Sequence, residues 1–237
     1  MSTRHQTLSD FLGQWAGTDA MRGKVRDTIL ALADATASIS AFVASASLNG
    51  AAPEPAGMRP WLITSARNIV TKALKGAPVA AISCEKSNGP HPVNPGAELV
   101  VALDSMDGSS NIETNASVGG IFSIMTNSNG KGDAASFLQK GRDQLAAGFM
   151  MYGPQTLMVF TTGNGTHVAT LDRESREFII TATDLHVEQT VREYAVNASN
   201  YRHWDDGTRA YIDDCLAGSE GPREENYTMR WVAALVA

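Results

Sequence analysis

Two aspartates set three apart, Asp104 and Asp107, open the stretch of this chain best equipped for chemistry. They lie in residues 99–111, LVVALDSMDGSSN, where an apolar run leads directly into the acids. Carboxylates at a strand end can share a hard cation, because Mg²⁺ takes oxygen ligands and keeps positions open for a substrate phosphate. The Met106 carbonyl lies between the two acids and can complete such a shell. Gly108, Ser109 and Ser110 come next. A turn of this composition offers backbone N–H groups and two hydroxyls to phosphate oxygens. Its glycine lets the backbone approach an anion with no Cβ in the way. The same residue types also make ordinary turns and helix caps. Asp-x-x-Asp spacing alone leaves both readings open.

Holding these residues requires a strand that ends at Asp104 and partners that bury it. Residues 99–103, 79–83 and 118–125 are short apolar runs that read as buried strands. The proline-rich stretch at 87–97 reads as an exposed loop. From residue 144 onward, runs at 148–152, 156–161, 166–171 and 177–181 alternate with Gly-Pro, Gly-Asn-Gly and Asp-Arg-Glu-Ser segments. That pattern predicts an antiparallel meander. Val25, Ile29, Leu32, Thr36, Ile39, Val43 and Ala46 recur at spacings of four and three, which predicts a helix over 18–48. A shorter helix is expected at 8–15 and another at 61–75, stopped by Gly76 and Pro78. Residues 49–57, NGAAPEPAG, form a break, and 206–217 and 229–236 read as helices. Helices and strands in this order suggest a layered α/β or α+β architecture.

Composition narrows the function classes. The chain has 237 residues, 43% of them apolar, which is enough for a real core. Its 19 basic and 25 acidic residues give a net charge of −6, which argues against a nucleic-acid platform. Cys84 and Cys215 are far apart and show no metal-type spacing, so a reducing compartment is expected. The first eleven residues contain no apolar signal segment. Residues 29–48 carry only Asp34 as a charge, but their large side chains are periodic among Ala and Ser. They read as a core helix rather than a membrane span. The expectation is a cytoplasmic protein with neither membrane nor nucleic acid as partner. His5, His91, His167, His186 and His203 are scattered without metal spacing.

The longer string around the two acids carries a family likeness. Residues 104–125, DSMDGSSNIETNASVGGIFSIM, resemble the D-P-x-D-G-S-S-N-I…S-V-G-T-I-F-x-I segment of the class 1 fructose-1,6-bisphosphatases. These belong to the wider lithium-sensitive, metal-dependent sugar-phosphatase superfamily. Gly148-Phe149 and the run from Tyr152 to Thr156 (YGPQT) look like the family's A-G-Y-x-x-Y-G-P-x-T segment. Asn197-Ala198-Ser199-Asn200 resembles the bacterial sugar-site segment, and residues 227–237 (YTMRWVAALVA) are similar to the R-Y/W-x-x-S-M-V-A helix. The likeness runs in order over most of the chain. It implies an αβαβα sugar-phosphatase sandwich with an incomplete second layer. Residues 1–183 would form N-terminal helices and a mixed sheet with the metal and phosphate site. Residues 184–237 would form a partial C-terminal sugar-binding α/β subdomain.

The resemblance also implies a reaction: Mg²⁺-dependent hydrolysis of the 1-phosphate of fructose 1,6-bisphosphate, serving gluconeogenesis or the Calvin cycle. Sedoheptulose 1,7-bisphosphate is the implied second substrate. By the same likeness, Asp104, Met106 and Asp107 match metal ligands, and Asp107, Gly108, Ser109 and Ser110 match the phosphate-contacting turn. Asn197 matches a sugar-phosphate contact. Arg230 matches an arginine that reaches the 6-phosphate of a neighbouring subunit in a homo-oligomer, a tetramer in the family.

Four departures cut into this pattern. The family's Ser-Glu-Glu segment faces PVAAISCEK here. Matching Cys84 to the serine makes Glu85 the metal-bridging acid and puts Lys86 at the second acid; matching Ser83 instead puts Cys84 at the bridging position. The first alignment keeps the preceding apolar run in register, and Glu85 is read as a metal ligand and catalytic acid with Asp104 and Asp107. No acid occurs in residues 58–68, where the family has an acidic loop. Ser105 replaces a proline. The family's pattern continues beyond the VA segment at which this sequence stops, so a fragment, or a degenerate non-catalytic paralogue that binds sugar phosphate or a partner subunit, is the alternative expectation.

Overall fold

The computed structural model describes residues 6–46, 48, 58–85 and 87–236. The break expected at 49–57 and the side chain of Lys86 lie outside the described residues. Contacts divide the chain into two units, Met1–Leu185 with Ala234–Ala237, and His186–Ala233.

Three helices open the first unit: α1 (Leu8–Ala16), α2 (Ala20–Ala44) and α3 (Met58–Leu74). The Thr7 hydroxyl caps α1 by accepting from the Asp10 N–H, and the Asp19 carboxylate caps α2 by accepting from the Arg22 N–H at 2.9 Å. That backbone bond holds the Asp19 carboxyl below the usual carboxylate range. Pro60 falls in the first turn of α3, where its missing N–H costs no helical bond. α2 ends earlier than its apolar periodicity predicts, and Leu48 beyond it is exposed. α2 has the length and hydropathy of a membrane span, yet half of its apolar window is buried inside the protein. The polar groups in its buried stripe are satisfied: Thr28 and Thr36 donate to the carbonyls of Lys24 and Leu32, and Ser40 pairs with the Thr156 hydroxyl.

The strands are β1 (Val79–Cys84), β2 (His91–Pro92), β3 (Leu99–Asp107), β4 (Val118–Thr126), β5 (Ala146–Tyr152), β6 (Thr156–Thr161), β7 (His167–Leu171) and β8 (Phe178–Ala182). They form one sheet in the order β2-β1-β3-β4-β5-β6-β7-β8. β1 runs parallel to β3 and every other pairing is antiparallel. The predicted meander is therefore present from β5 to β8. The loop predicted between the first two long strands contributes β2, a two-residue edge strand in which Pro92 is tolerated. α1, α2 and α3 pack on one sheet face. Ile29, Leu32, Val70 and Leu74 meet Val101, Phe122, Ile124, Met150 and Phe160 there in one buried cluster. The result is a layered α/β fold built on a mixed sheet.

The second unit holds β9 (Glu193–Tyr194), α4 (Asp206–Leu216) and β10 (Thr228–Met229). Asp205 caps α4, its carboxylate accepting from the Thr208 N–H. The helix expected at 229–236 is not formed. Thr228 and Met229 pair in parallel with Glu193 and Tyr194, and the Arg230 N–H continues that ladder to the Tyr194 carbonyl. A chain engaged in a strand ladder cannot also close helical bonds. Trp231 and Leu235 are exposed, whereas Val236 is buried with the first unit.

Close packing fixes Gly148 on β5. A Cβ there would collide with the Val159 carbonyl and the Phe122 ring. Gly148→Ala is expected to destabilise the first unit by about 1–3 kcal/mol, as overpacking in a well-filled core does. Urea unfolding of the variant beside the unsubstituted chain measures it, and an unchanged midpoint would contradict the packing.

Candidate functional site

The site forms where β3 leaves regular pairing. Along β3 and β4, Asp104 faces Ile121, but Asp107 faces Gly119. Three steps on β3 therefore match two on β4, so β3 carries one extra residue. In a regular strand, residues three apart point to opposite faces. The extra residue cancels that odd step and brings Asp104 and Asp107 to the same face. The register thus explains how Asp-x-x-Asp spacing works on a strand.

Beyond Asp107, Gly108 adopts a left-handed backbone (φ 71°) that starts the short 3-10 helix Ser109–Thr114. Asn111 is buried and braces this turn. Its N–H donates to the Gly108 carbonyl and its amide to the Ser117 carbonyl at 2.9 Å. Asn111 was not among the expected site residues; the turn it closes was. Asp104 is oriented by its own strand, with Oδ1 accepting from the Met106 N–H at 3.0 Å. Asp107 Oδ2 accepts from the N–H groups of Leu235 (2.6 Å) and Val236 (3.2 Å). The acid read as a metal and phosphate ligand is thus also an anchor for residues 235–236.

β1 supplies the third acid. Its parallel register pairs Cys84 with Leu103, and the Glu85 N–H donates to the Leu103 carbonyl at 3.2 Å. Glu85 and Asp104 consequently border one cavity of about 20 Å³, together with Ile63, Arg67, Cys84, Ser105, Met106 and Ser109. That volume holds one water-sized group. Arg67 comes from α3 and donates from Nη2 to the Glu85 carbonyl at 3.2 Å. The sequence reading passed over Arg67. Its signal was helical spacing: Leu62, Ala66 and Val70 are buried, and Ile63 and Arg67 repeat the same four-residue step one position along.

Electrostatics tie these groups together. Burial pushes the Cys84 thiol pKa up; the Arg67 charge pulls it down and the Asp104 charge adds to the rise. The Tyr152 hydroxyl is buried with no hydrogen-bond partner among the described residues. Burial first and the Asp104 charge second hold it protonated.

In the second unit, Asn197 caps the short 3-10 helix Ala198–His203, its Oδ1 accepting from the Ser199 N–H at 3.1 Å. Arg230 pairs with Glu193 at 2.9 Å in an exposed ion pair. Each is thus placed within its own unit, where Arg230 already has an acidic neighbour.

Among the described residues, no group of three or more His, Cys, Asp and Glu side chains converges to hold a metal ion. The pair Glu85 and Asp104 does fit one oxygen-seeking cation that takes its remaining ligands from phosphate and water, the usual habit of Mg²⁺.

The layered fold has a solved counterpart. It matches the crystal structure of Leishmania major fructose-1,6-bisphosphatase in holo form with a TM-score of 0.82, covering 98% of this chain and 71% of that one at 23% identity. The model of the fructose-1-6-bisphosphatase N-terminal domain matches residues 62–183, and that of the C-terminal domain matches residues 187–237. A class 1 fructose-1,6-bisphosphatase of Xanthobacter autotrophicus is 44% identical over 98% of this chain. One from Azorhizobium caulinodans is 42% identical over 98%. The chain belongs to the fructose-1,6-bisphosphatase family. It spans 64% of the Xanthobacter relative's length and 74% of the Azorhizobium one.

The shared cavity makes Cys84 a reporter of its neighbours. Asp104→Asn is expected to lower the Cys84 pKa and speed its alkylation by iodoacetamide at pH 8. Arg67→Gln is expected to raise the pKa and slow it. Each pKa unit changes the thiolate fraction about tenfold while the thiol remains mostly protonated. Peptide mass mapping separates Cys84 from Cys215, and rates that move the other way would contradict the placement of the two charges.

Proposed function

We propose that this chain hydrolyses the 1-phosphate of fructose 1,6-bisphosphate to fructose 6-phosphate and phosphate, with Mg²⁺ as the cation and sedoheptulose 1,7-bisphosphate as a second substrate. The observation that carries this reading is the displaced register of β3, which sets Asp104 and Asp107 on one face and leads straight into the Gly108–Ser110 turn. Family membership supports it.

Glu85 and Asp104 would hold the cation, with the Met106 carbonyl and Asp107 as the further ligands the family pattern suggests. The ion supplies charge neutralisation at the phosphoryl group and a more acidic water. The protein's own groups do the remaining work. Ser109 and Ser110 present hydroxyls and backbone N–H groups to phosphoryl oxygens, and Gly108 permits the close approach. Asp104, fixed through the Met106 N–H, orients the reacting water. Within the second unit, Asn197 and Arg230 are the sugar-phosphate contacts the family pattern suggests, Arg230 toward a neighbouring subunit of a homo-oligomer. The setting is the cytoplasm, in gluconeogenesis or the Calvin cycle.

A second reading has its own support. No acid lies in residues 58–68, three metal-ligating side chains do not converge among the described residues, and Asp107 is engaged by residues 235–236. These features suit a chain that binds sugar phosphate, or a partner subunit, without turnover.

A phosphate-release assay with fructose 1,6-bisphosphate and Mg²⁺ separates the two. The enzyme reading expects turnover, and a loss of about 10²–10⁴-fold in kcat/KM for Asp104→Asn and Asp107→Ala, the usual worth of such groups. Retained sugar-phosphate binding with no phosphate release from folded protein would establish the second reading instead.

A further inference from the structure

Arg67 has an unmet bond. Its Nη2 is anchored on the Glu85 carbonyl, but its Nε is buried with no hydrogen-bond partner among the described residues. A buried N–H left unpaired carries a desolvation cost, which is heavier on a charged group. Arg67 also lines the cavity, so an acceptor arriving there meets its guanidinium. The cavity sets the acceptor's size: about 20 Å³ admits one oxygen, not an entire phosphate. Ser109, from the turn that offers donors to an anion, borders the same space. Glu85 and Asp104 repel an anion there, and among the cavity's described lining residues Arg67 is the cation that offsets them.

We propose that Arg67 is a phosphate-contacting residue of this site. Its guanidinium donates to one oxygen of the phosphoryl group whose other oxygens the Gly108–Ser110 turn receives. The guanidinium suits this because its planar fork lets one N–H hold the Glu85 carbonyl while another meets the anion, and because it stays charged at every working pH. α3 thus contributes directly to anion recognition. The proposal rests on the sugar-phosphatase reading only for the identity of the molecule that carries the phosphate; the contact itself concerns inorganic phosphate equally.

Calorimetric titration of inorganic phosphate tests it, run once with Mg²⁺ and once with EDTA. Arg67→Gln is expected to weaken phosphate binding roughly 10- to 100-fold, the worth of a charge-assisted hydrogen bond, wherever the unsubstituted chain binds. Thermal melting checks that the variant is folded. If it is not, Arg67→Lys replaces it, keeping the charge but losing the fork, with an expected weakening of about threefold or more. Equal affinity of the folded variant and the unsubstituted chain would overturn the proposal. So would the absence of phosphate binding by the unsubstituted chain in both buffers. Hydrolysis of fructose 1,6-bisphosphate alongside an unaffected Arg67 variant removes this contact and leaves the functional reading standing. Arg67-dependent phosphate binding with no turnover does the reverse.

Discussion

One extra residue in β3 is the constraint on which the site depends. Without it, Asp104 and Asp107 would project to opposite faces of the sheet, one toward the helices and one away. With it, both acids share a face, and the strand bends out of its ladder just where Gly108 turns the chain. Bulges commonly re-aim side chains in this way. The flanking pairings make the irregularity affordable. β3 is an interior strand, parallel to β1 on one side and antiparallel to β4 on the other, and Leu99, Val100 and Val101 are wholly buried. A core this firmly paired can carry a local break at its end.

The same strand sets the third acid. Parallel pairing puts the end of β1 beside Leu103, so Glu85 meets Asp104 at one cavity although 19 positions separate them (104 − 85). α3, packed against β3, completes the wall with Ile63 and Arg67. Each element thus delivers one kind of group: β1 and β3 the acids, the turn after β3 the donors, α3 the cation. Asp107 faces another demand, since two backbone N–H groups of residues 235–236 already bond to Oδ2. One oxygen of this carboxylate is thus committed to holding the chain.

Much of this was legible in the sequence, and the rest was not for identifiable reasons. The apolar runs of β1, β3 and β4 and the turn chemistry between β5 and β8 announced the sheet, because buried strands and Gly-rich turns leave strong local signals. The 3.6-residue periodicity announced α1, α2 and α3. Residues 229–236 misled. Their apolar pattern suits a helix, but Thr228 and Met229 are claimed by a strand pairing with residues 35 positions earlier (228 − 193), which no local pattern encodes. The extra residue in β3 was hidden for the same reason, since it exists only relative to β4. Arg67 escaped notice because an arginine on a helix usually faces water. Its role follows from which surface α3 presents to β3, a tertiary fact.

Charge balance shows why Arg67 matters to what the cavity can accept. Glu85 and Asp104 contribute two negative charges and Arg67 one positive, so these three groups sum to −1. With two acids alone, a divalent cation would be drawn in strongly and a free phosphate driven out. The guanidinium weakens both tendencies. One phosphoryl oxygen reaching into this water-sized space would bring an acceptor to a guanidinium whose Nε is unpaired among the described residues. Ile63, the other α3 residue at the wall, supplies no ligand. What α3 adds to the wall is thus a cation and not another acid, and the proposed phosphoryl oxygen would meet that cation beside the two carboxylate residues.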